Sequence, residues 1–544
     1  MEISRAHPPE GLKMVEQAFD EFRKIVGEEF ALEESEKTRR YHRCTIPVER
    51  AIEGVLLPGC VEEIQRIVAV ANRFDIALYP ISTGKNWGYG SANPVRDRCV
   101  ILDLSRMNRI VEVNEELAYA VIEPGVTQRC LYERLTLEKT GLMMDPTGSG
   151  PACSVLGNAL ERGYGITPYG DHFASTCGME IVLPNGEILR TGFGHFGTAK
   201  AANVYKYGVG PYLDGLFTQS NFGIVTKIGL WLMPEPERFE VCYFSSEKES
   251  DLNPLIDALR WLLLHRVVKG SVNLVHRNRV LTMLTRYPWE EMSGNTPLDE
   301  AVYGRMAAQK KVGAWNGVTA LYGAGEEVGA AKKIIKRVLR GKASRINFVS
   351  EKTLRLAERF PKLIGAMTGM NMSEVLKALK PSFAIMKGRP GEVSLPTPYW
   401  RMKNPVPPRD IDPASDNCGL IWLAPVVPMT KENAEEFIGV VRPVFARHGF
   451  EDCITFTAVN ERSFDCTLPI LYDKNDPAET RRAAQCHEEL LRACMDKGYI
   501  PYRLGVQSMA GLVEGDDVFW DVVQKLKQAL DPGGIISPGR YSRI

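Results

Sequence analysis

The chain has no surplus of charge of either sign: its 544 residues hold 67 basic and 67 acidic side chains. Nucleic acid is thereby excluded as a main partner, because neutralising phosphates takes surplus Lys and Arg, and no basic stripe interleaved with aromatics is present. The twelve cysteines are scattered without a CxxC pair, and a chain this long needs no disulfide framework, so reduced thiols are expected. Histidine is scarce at eight residues, and none forms HExxH or a close pair with cysteine, so no metal site is expected. Apolar runs fall far short of the roughly 18 residues a membrane span needs, and Met1 to Glu10 lacks an apolar signal core. These absences predict a cytoplasmic protein that touches neither membrane nor nucleic acid.

A chain of this length exceeds single-core size, which predicts two folding units. A helical prelude from Gly11 to Glu36 is followed by a helix from Gly59 to Phe74, with Val61, Ile64, Ile67, Val68 and Ala71 on one face. Strands are predicted at 76–81, 100–104, 110–113 and 118–122, then a helix over 126–138. Further strands over 178–183 and 187–190 flank the hairpin turn Pro184-Asn185-Gly186, and an apolar strand spans 223–233. After Pro234-Glu235-Pro236 the pattern changes to long amphipathic stretches at 252–265, 327–339, 431–448 and 478–497, separated by strands. The layout is α+β, with a proline-rich segment over 396–413 that reads as an extended loop.

One stretch stands out. Pro80-Ile81-Ser82-Thr83-Gly84-Lys85-Asn86-Trp87-Gly88-Tyr89-Gly90 packs three glycines and several polar side chains between two predicted strands. Such a turn can aim successive backbone N–H groups at an anion and lets a pyrophosphate approach closely. It is not a Walker A loop, because Asn86 follows Gly84-Lys85 where Ser or Thr is required. Nor does it open a helix, as the Rossmann fingerprint would.

Further motifs occur in a definite order: Glu123-Pro124-Gly125-Val126, Ser154-Val155-Leu156-Gly157-Asn158, the run from Gly163 to His172, Asn221 to Lys227, Pro501-Tyr502-Arg503 and the terminal Asp531-Pro532-Gly533-Gly534-Ile535-Ile536-Ser537-Pro538-Gly539-Arg540. With the glycine turn they make the chain resemble the vanillyl-alcohol oxidase / p-cresol methylhydroxylase flavoprotein family from about Pro47 to Arg540. The resemblance implies a two-domain fold: an FAD-binding domain from 1–238 completed by 500–544, and an α+β cap over the isoalloxazine from 239–499. Its FAD site would be lined by Ser82, Thr83, Gly84, Lys85, Asn86, Gly88, Tyr89, Pro124, Gly125, Val126, Ser154, Gly157, Asn158, Gly223, Ile224, Val225 and Arg540.

The family oxidises para-substituted phenols by hydride transfer from the benzylic carbon to the flavin. A phenol with pKa about 10 donates hydride poorly, whereas its phenolate does so while becoming a quinone methide, so the site must stabilise that anion. Tyr89, Tyr502 and Arg503 match the family's phenolate-binding trio, and Asp171 matches the carboxyl beside the reacting carbon, where burial would raise its pKa. The chain departs from the family at the covalent flavin tether. Leu420 stands where some members carry a histidine and Pro398 where others carry a tyrosine; Tyr399 is one position displaced, and Cys418 is a remote thiol. A non-covalent FAD is therefore expected, with Tyr399 as the candidate for a covalent link. The resemblance also implies a c-type cytochrome or azurin-like electron acceptor, consistent with Trp422, and a homodimer. Two other activities stay open: an FAD-dependent 2-hydroxy acid dehydrogenase, and a flavin-binding protein without catalysis.

Overall fold

The computed structural model describes residues 10–368, 372–403, 411–515 and 517–543. Val61–Phe74 is a helix because Ile64, Ile67, Val68 and Ala71 recur at helical spacing and are all buried, and it ends at Asp75 in the left-handed region. Chain reversal there feeds Ala77–Ile81, which pairs in parallel with Cys99–Asp103; Ile52–Leu56 lies parallel on the other side of that central strand. The N-terminal helix Glu10–Val26 packs Phe19 and Phe22 onto the same core. The predicted prelude to Glu36 thus ends ten residues early, and the chain turns into a short strand, Ala31–Glu33, antiparallel to Ile52–Leu56. Gly27, at φ 93°, is a backbone conformation the helix cannot continue through. The Ile52–Leu56 strand itself was not expected from the sequence.

A second, antiparallel sheet runs Ile110–Asn114, Tyr119–Ile122, Ile224–Trp231, Thr176–Val182, Ile188–Arg190 in spatial order. The predicted hairpin at Pro184-Asn185-Gly186 is present, with Gly186 at φ 85°. The C-terminal segment returns to the first sheet: Leu78 donates to Ile535 O at 2.7 Å, and Ser537 donates to Leu78 O at 2.8 Å.

Residues after Arg238 build a third sheet, antiparallel throughout, in the order Arg345–Ser350, Arg238–Ser246, Trp315–Gly323, Val272–His276, Thr455–Ala458, Ser463–Asp473, Cys418–Leu423. Helices Leu252–Leu264, Gly325–Leu339, Lys431–His448 and Pro477–Asp496 contribute Leu259, Leu339, Phe437, Val441 and Leu490 to the largest buried cluster. Each such fully buried side chain stabilises by about 1.5–3 kcal/mol, so this face anchors the cap. Of the proline-rich segment, Thr397–Tyr399 is a 3₁₀ turn, not extended chain, and residues 404–410 lie outside the described residues. Among the described residues no helix is long and apolar enough to cross a membrane.

Candidate active site

The glycine turn emerges from the end of the Ala77–Ile81 strand and opens onto a cavity of about 410 Å³. The N–H groups of Thr83, Gly84, Lys85 and Asn86 find no acceptor among the described residues. Four successive unpaired donors beside a cavity are the arrangement an anion-binding concavity requires. Gly84 sits at φ 67°. Gly88, at φ 77°, is required sterically as well: a Cβ there would lie 2.1 Å from Trp422 Cδ1. Across the turn, Ser154 caps the helix Val155–Leu160, accepting from Gly157 N and donating to Pro124 O at 2.6 Å. A Cβ on Gly157 would stand 2.9 Å from Ser82 Oγ, so glycine lets the helix approach the turn.

The structure brings most of the sequence-predicted residues to one cavity. Ser82, Thr83, Gly84, Lys85, Asn86, Tyr89, Ser154, Gly157, Asn158, Gly223, Ile224, Val225, Tyr502, Arg503 and Arg540 all line it. Gly88, Pro124, Gly125 and Val126 do not, and act one layer behind: Val126 is core, and a Cβ on Gly125 would lie 2.4 Å from Ser105 O. The turn is tied to the cap by the Lys85–Asp412 ion pair. Arg540 donates to the Tyr79 hydroxyl at 2.6 Å and pairs with Glu161.

At the chemical centre, the Arg503 guanidinium lies 4.0 Å from the Tyr89 ring centroid and its Nη2 donates to Asn86 Oδ1 at 2.7 Å. Its Nε is buried without a partner. Burial works against the Arg503 charge, but Tyr502 and Tyr89 outweigh that and raise its pKa. Burial pushes Tyr502 up to about 12 and raises Tyr89 well above the usual phenol value, so both phenols stay protonated donors at neutral pH. Tyr164 joins them, its ring centroid 5.8 Å from that of Tyr502.

Two predicted residues stand elsewhere. Asp171 is exposed, and its Oδ1 accepts from Ala174 N at 2.9 Å: it caps a turn and does not line the cavity. The buried carboxyl whose charge would act on Tyr89, Tyr164 and Tyr502 is Asp465, on the strand Ser463–Asp473, which the sequence reasoning missed; it does not itself line the cavity. Burial holds it well above the usual carboxylate range, with Arg503 opposing, and its Oδ1 has no partner. An acid between Phe464 and Cys466, near the start of a largely apolar strand, was the available signal. Tyr399 is buried away from the cavity with its hydroxyl on Asp416, and the Cys418 thiol donates to Met402 Sδ; neither is placed as a tether, whereas Pro398 and Leu420 do line the cavity.

The chain is similar to known flavoproteins over nearly its whole length. Residues 52–192 match the family model described as FAD binding domain. The chain is 38% identical to the 1'-carboxy-chondrochloren decarboxylase of Chondromyces crocatus over 97% of each chain. It is 32% identical to the 4-cresol dehydrogenase (hydroxylating) flavoprotein subunit of Pseudomonas putida, covering 99% of this chain and 98% of that one. The crystal structure of p-cresol methylhydroxylase with substrate bound superposes with a TM-score of 0.87 at 30% identity, over 97% of each chain.

Proposed function

The chain belongs to the vanillyl-alcohol oxidase / p-cresol methylhydroxylase family of FAD-dependent oxidoreductases, and within it we propose that this protein oxidises a para-substituted phenol at the benzylic carbon. The observation that carries the reading is the buried Arg503, stacked on Tyr89 with Nε unpaired, in the same cavity as Tyr502. FAD, held by the free amides of Thr83 to Asn86 and the walls formed by Gly157 and Gly223 to Val225, supplies the hydride acceptor when bound.

The chain's own residues prepare the substrate. Tyr89 and Tyr502 donate to the phenolic oxygen, and the guanidinium charge of Arg503 lowers the cost of removing its proton in a water-poor site. Burial raises the Asp465 pKa, which disfavours a negative charge in the protein behind this site. Hydride loss leaves a quinone methide, which water then attacks at the benzylic carbon. A 2-hydroxy acid as substrate would leave the tyrosine cluster without a partner.

Identity to a protein named as a decarboxylase supports a second ending to the same first step. If the carbon next to the benzylic position bears a carboxylate, its C–C bond breaks, CO₂ leaves, and the electron pair forms the side-chain double bond while the ring regains phenolate. For reoxidation, the Pseudomonas putida relative is by name one subunit, which supports a protein electron carrier, such as a c-type cytochrome or an azurin-like protein.

The test is anaerobic mixing of flavin-loaded enzyme with 4-alkylphenols, their methyl ethers and 4-hydroxyphenylpropionate. Phenols are expected to bleach the flavin and ethers to leave it oxidised, with CO₂ released in step only from the acid. Bleaching by the ethers at similar rates would overturn the phenolate mechanism. Stopped-flow reoxidation by air against added cytochrome c then decides the acceptor.

A further inference from the structure

Among the described residues, Arg279 is a guanidinium buried without a carboxylate beside it. It sits in the cap helix Arg277–Leu284, is 7% exposed, and lines the same cavity as Tyr502 and Arg503. Its Nη1 donates to Thr282 Oγ1 and Thr397 Oγ1, both at 3.0 Å. Among the described residues its Nε and Nη2 meet no acceptor, and no Asp or Glu lies within ion-pair distance of it. The contrast with Arg401 is direct: that residue, equally inside the cap, is clamped by Glu451 and Glu479. Burial depresses the Arg279 pKa, with only the Cys453 thiol opposing.

A buried charge without a counterion is costly, and a guanidinium with one edge already fixed by two hydroxyls presents its remaining N–H fork in the geometry that a carboxylate fits. The wall around it belongs to the cap: Leu420, Trp422 and Thr467 line the cavity with it, and the guanidinium lies 5.7 Å from the Trp422 ring centroid. The unpaired amides that suit a pyrophosphate are on the glycine turn instead, on the other domain's side.

We propose that Arg279 binds a carboxylate on the substrate's para side chain, so that the substrate class is a phenol carrying an anionic side chain. This rests on the phenol reading above and adds the second anchor: Tyr89, Tyr502 and Arg503 hold the phenolic end and Arg279 the acid, fixing the benzylic carbon between them.

The probes are 3-(4-hydroxyphenyl)propionate, its methyl ester and 4-propylphenol, titrated into the FAD-loaded full chain and read by perturbation of the flavin spectrum and by anaerobic bleaching. The wild-type protein is expected to bind the acid about 10- to 100-fold more tightly than the ester. Arg279→Met should bring that ratio to within about threefold of unity, and Arg279→Lys should restore part of it. FAD retention and the melting profile report whether the variants remain folded, and the wild-type acid-to-ester ratio tests the proposal without any variant. If the wild type shows no preference for the acid while 4-propylphenol still bleaches the flavin, the carboxylate site is wrong and the phenol reading stands. If Arg279→Met weakens all three probes alike or releases FAD, Arg279 serves the cofactor or the fold, and the proposal fails. If no phenol perturbs or bleaches the flavin, both readings fall.

Discussion

Arg503 Nη2 donates to Asn86 Oδ1 at 2.7 Å, a bond between residues 417 positions apart. It joins the C-terminal segment to the glycine turn and fixes the guanidinium over the Tyr89 ring, so the groups proposed to hold the cofactor and the phenolate share one hinge point.

Removing that guanidinium should therefore hurt chemistry more than fold. A charge-assisted donor in a water-poor site is worth about 2–4 kcal/mol of transition-state stabilisation, so Arg503→Ala should slow anaerobic flavin reduction on the order of 30- to 1000-fold. Asn86→Ala leaves the charge but frees its position, and a smaller loss, about 3- to 30-fold, is expected. Equal losses in the two variants, read by stopped-flow bleaching, would show that position alone matters.

The two acids separate by environment. Asp171→Asn, an exposed turn cap, should change flavin reduction by less than about threefold, whereas Asp465→Asn should slow it by at least about tenfold. Asp465 also imprints a pH dependence on stability. Its folded pKa is raised, so its contribution is fully present below the unfolded value of about 4 and is lost as pH rises toward the folded value, at up to about 1.4 kcal/mol per pH unit. Melting temperatures of wild type and Asp465→Asn measured from pH 5 to pH 8 should converge or cross in favour of the variant as pH rises. A constant offset across that range would mean that Asp465 is ionised in the folded protein.

How far the chain could be read depends on where the information lies. The Val61–Phe74 helix and the Asn185-Gly186 hairpin were legible because apolar spacing and turn chemistry are local. The cavity wall was legible through motifs, since Ser82 to Tyr89, Ser154 to Asn158 and Tyr502-Arg503 each carry several constrained residues in a row. Asp465 and Arg279 were not, because each is a single polar residue whose neighbours in space arrive from other elements of the cap. Asp171 misled for the converse reason: it adjoins a run of glycines packed near Asp145 and Asn158, yet its own side chain turns outward to cap Ala174. The end of the first helix and the Ala31–Glu33 strand were missed because a three-residue strand has no period to detect.

Gly88 gives a packing test independent of charge. Alanine there meets Trp422 Cδ1 at 2.1 Å and must hold φ 77°, so both the indole and the turn have to shift. Gly88→Ala is expected to cost about 1–3 kcal/mol in stability and to weaken FAD retention, since Gly88 also donates to Thr45 Oγ1 at 2.7 Å and Trp422 donates to Gly88 O. Gly215→Ala, where an added Cβ meets nothing within 4 Å, is the matched control. Equal flavin content and equal melting temperature in the two variants would argue that the Trp422 contact is not rigid.

The last prediction concerns how the cofactor is held. The cavity wall presents Pro398 and Leu420 where a tether would need a nucleophile, Tyr399 is spent on Asp416, and Cys418 on Met402. Burial also pushes both of those groups up, the Tyr399 phenol and the Cys418 thiol, away from the anionic form that attacks a flavin ring substituent. Denaturing the purified yellow protein and spinning it should leave the flavin in the supernatant, and Tyr399→Phe should leave that partition unchanged. Yellow colour that follows the protein into the pellet in the wild type and is lost in Tyr399→Phe would establish a covalent link and require the Tyr399 hydroxyl to leave Asp416 when FAD binds. The same experiment bears on rate: without an electron-withdrawing tether the flavin is a weaker oxidant, so substrate bleaching should depend all the more on the phenolate stabilisation by Arg503, and the Arg503→Ala defect should lie toward the upper end of its range.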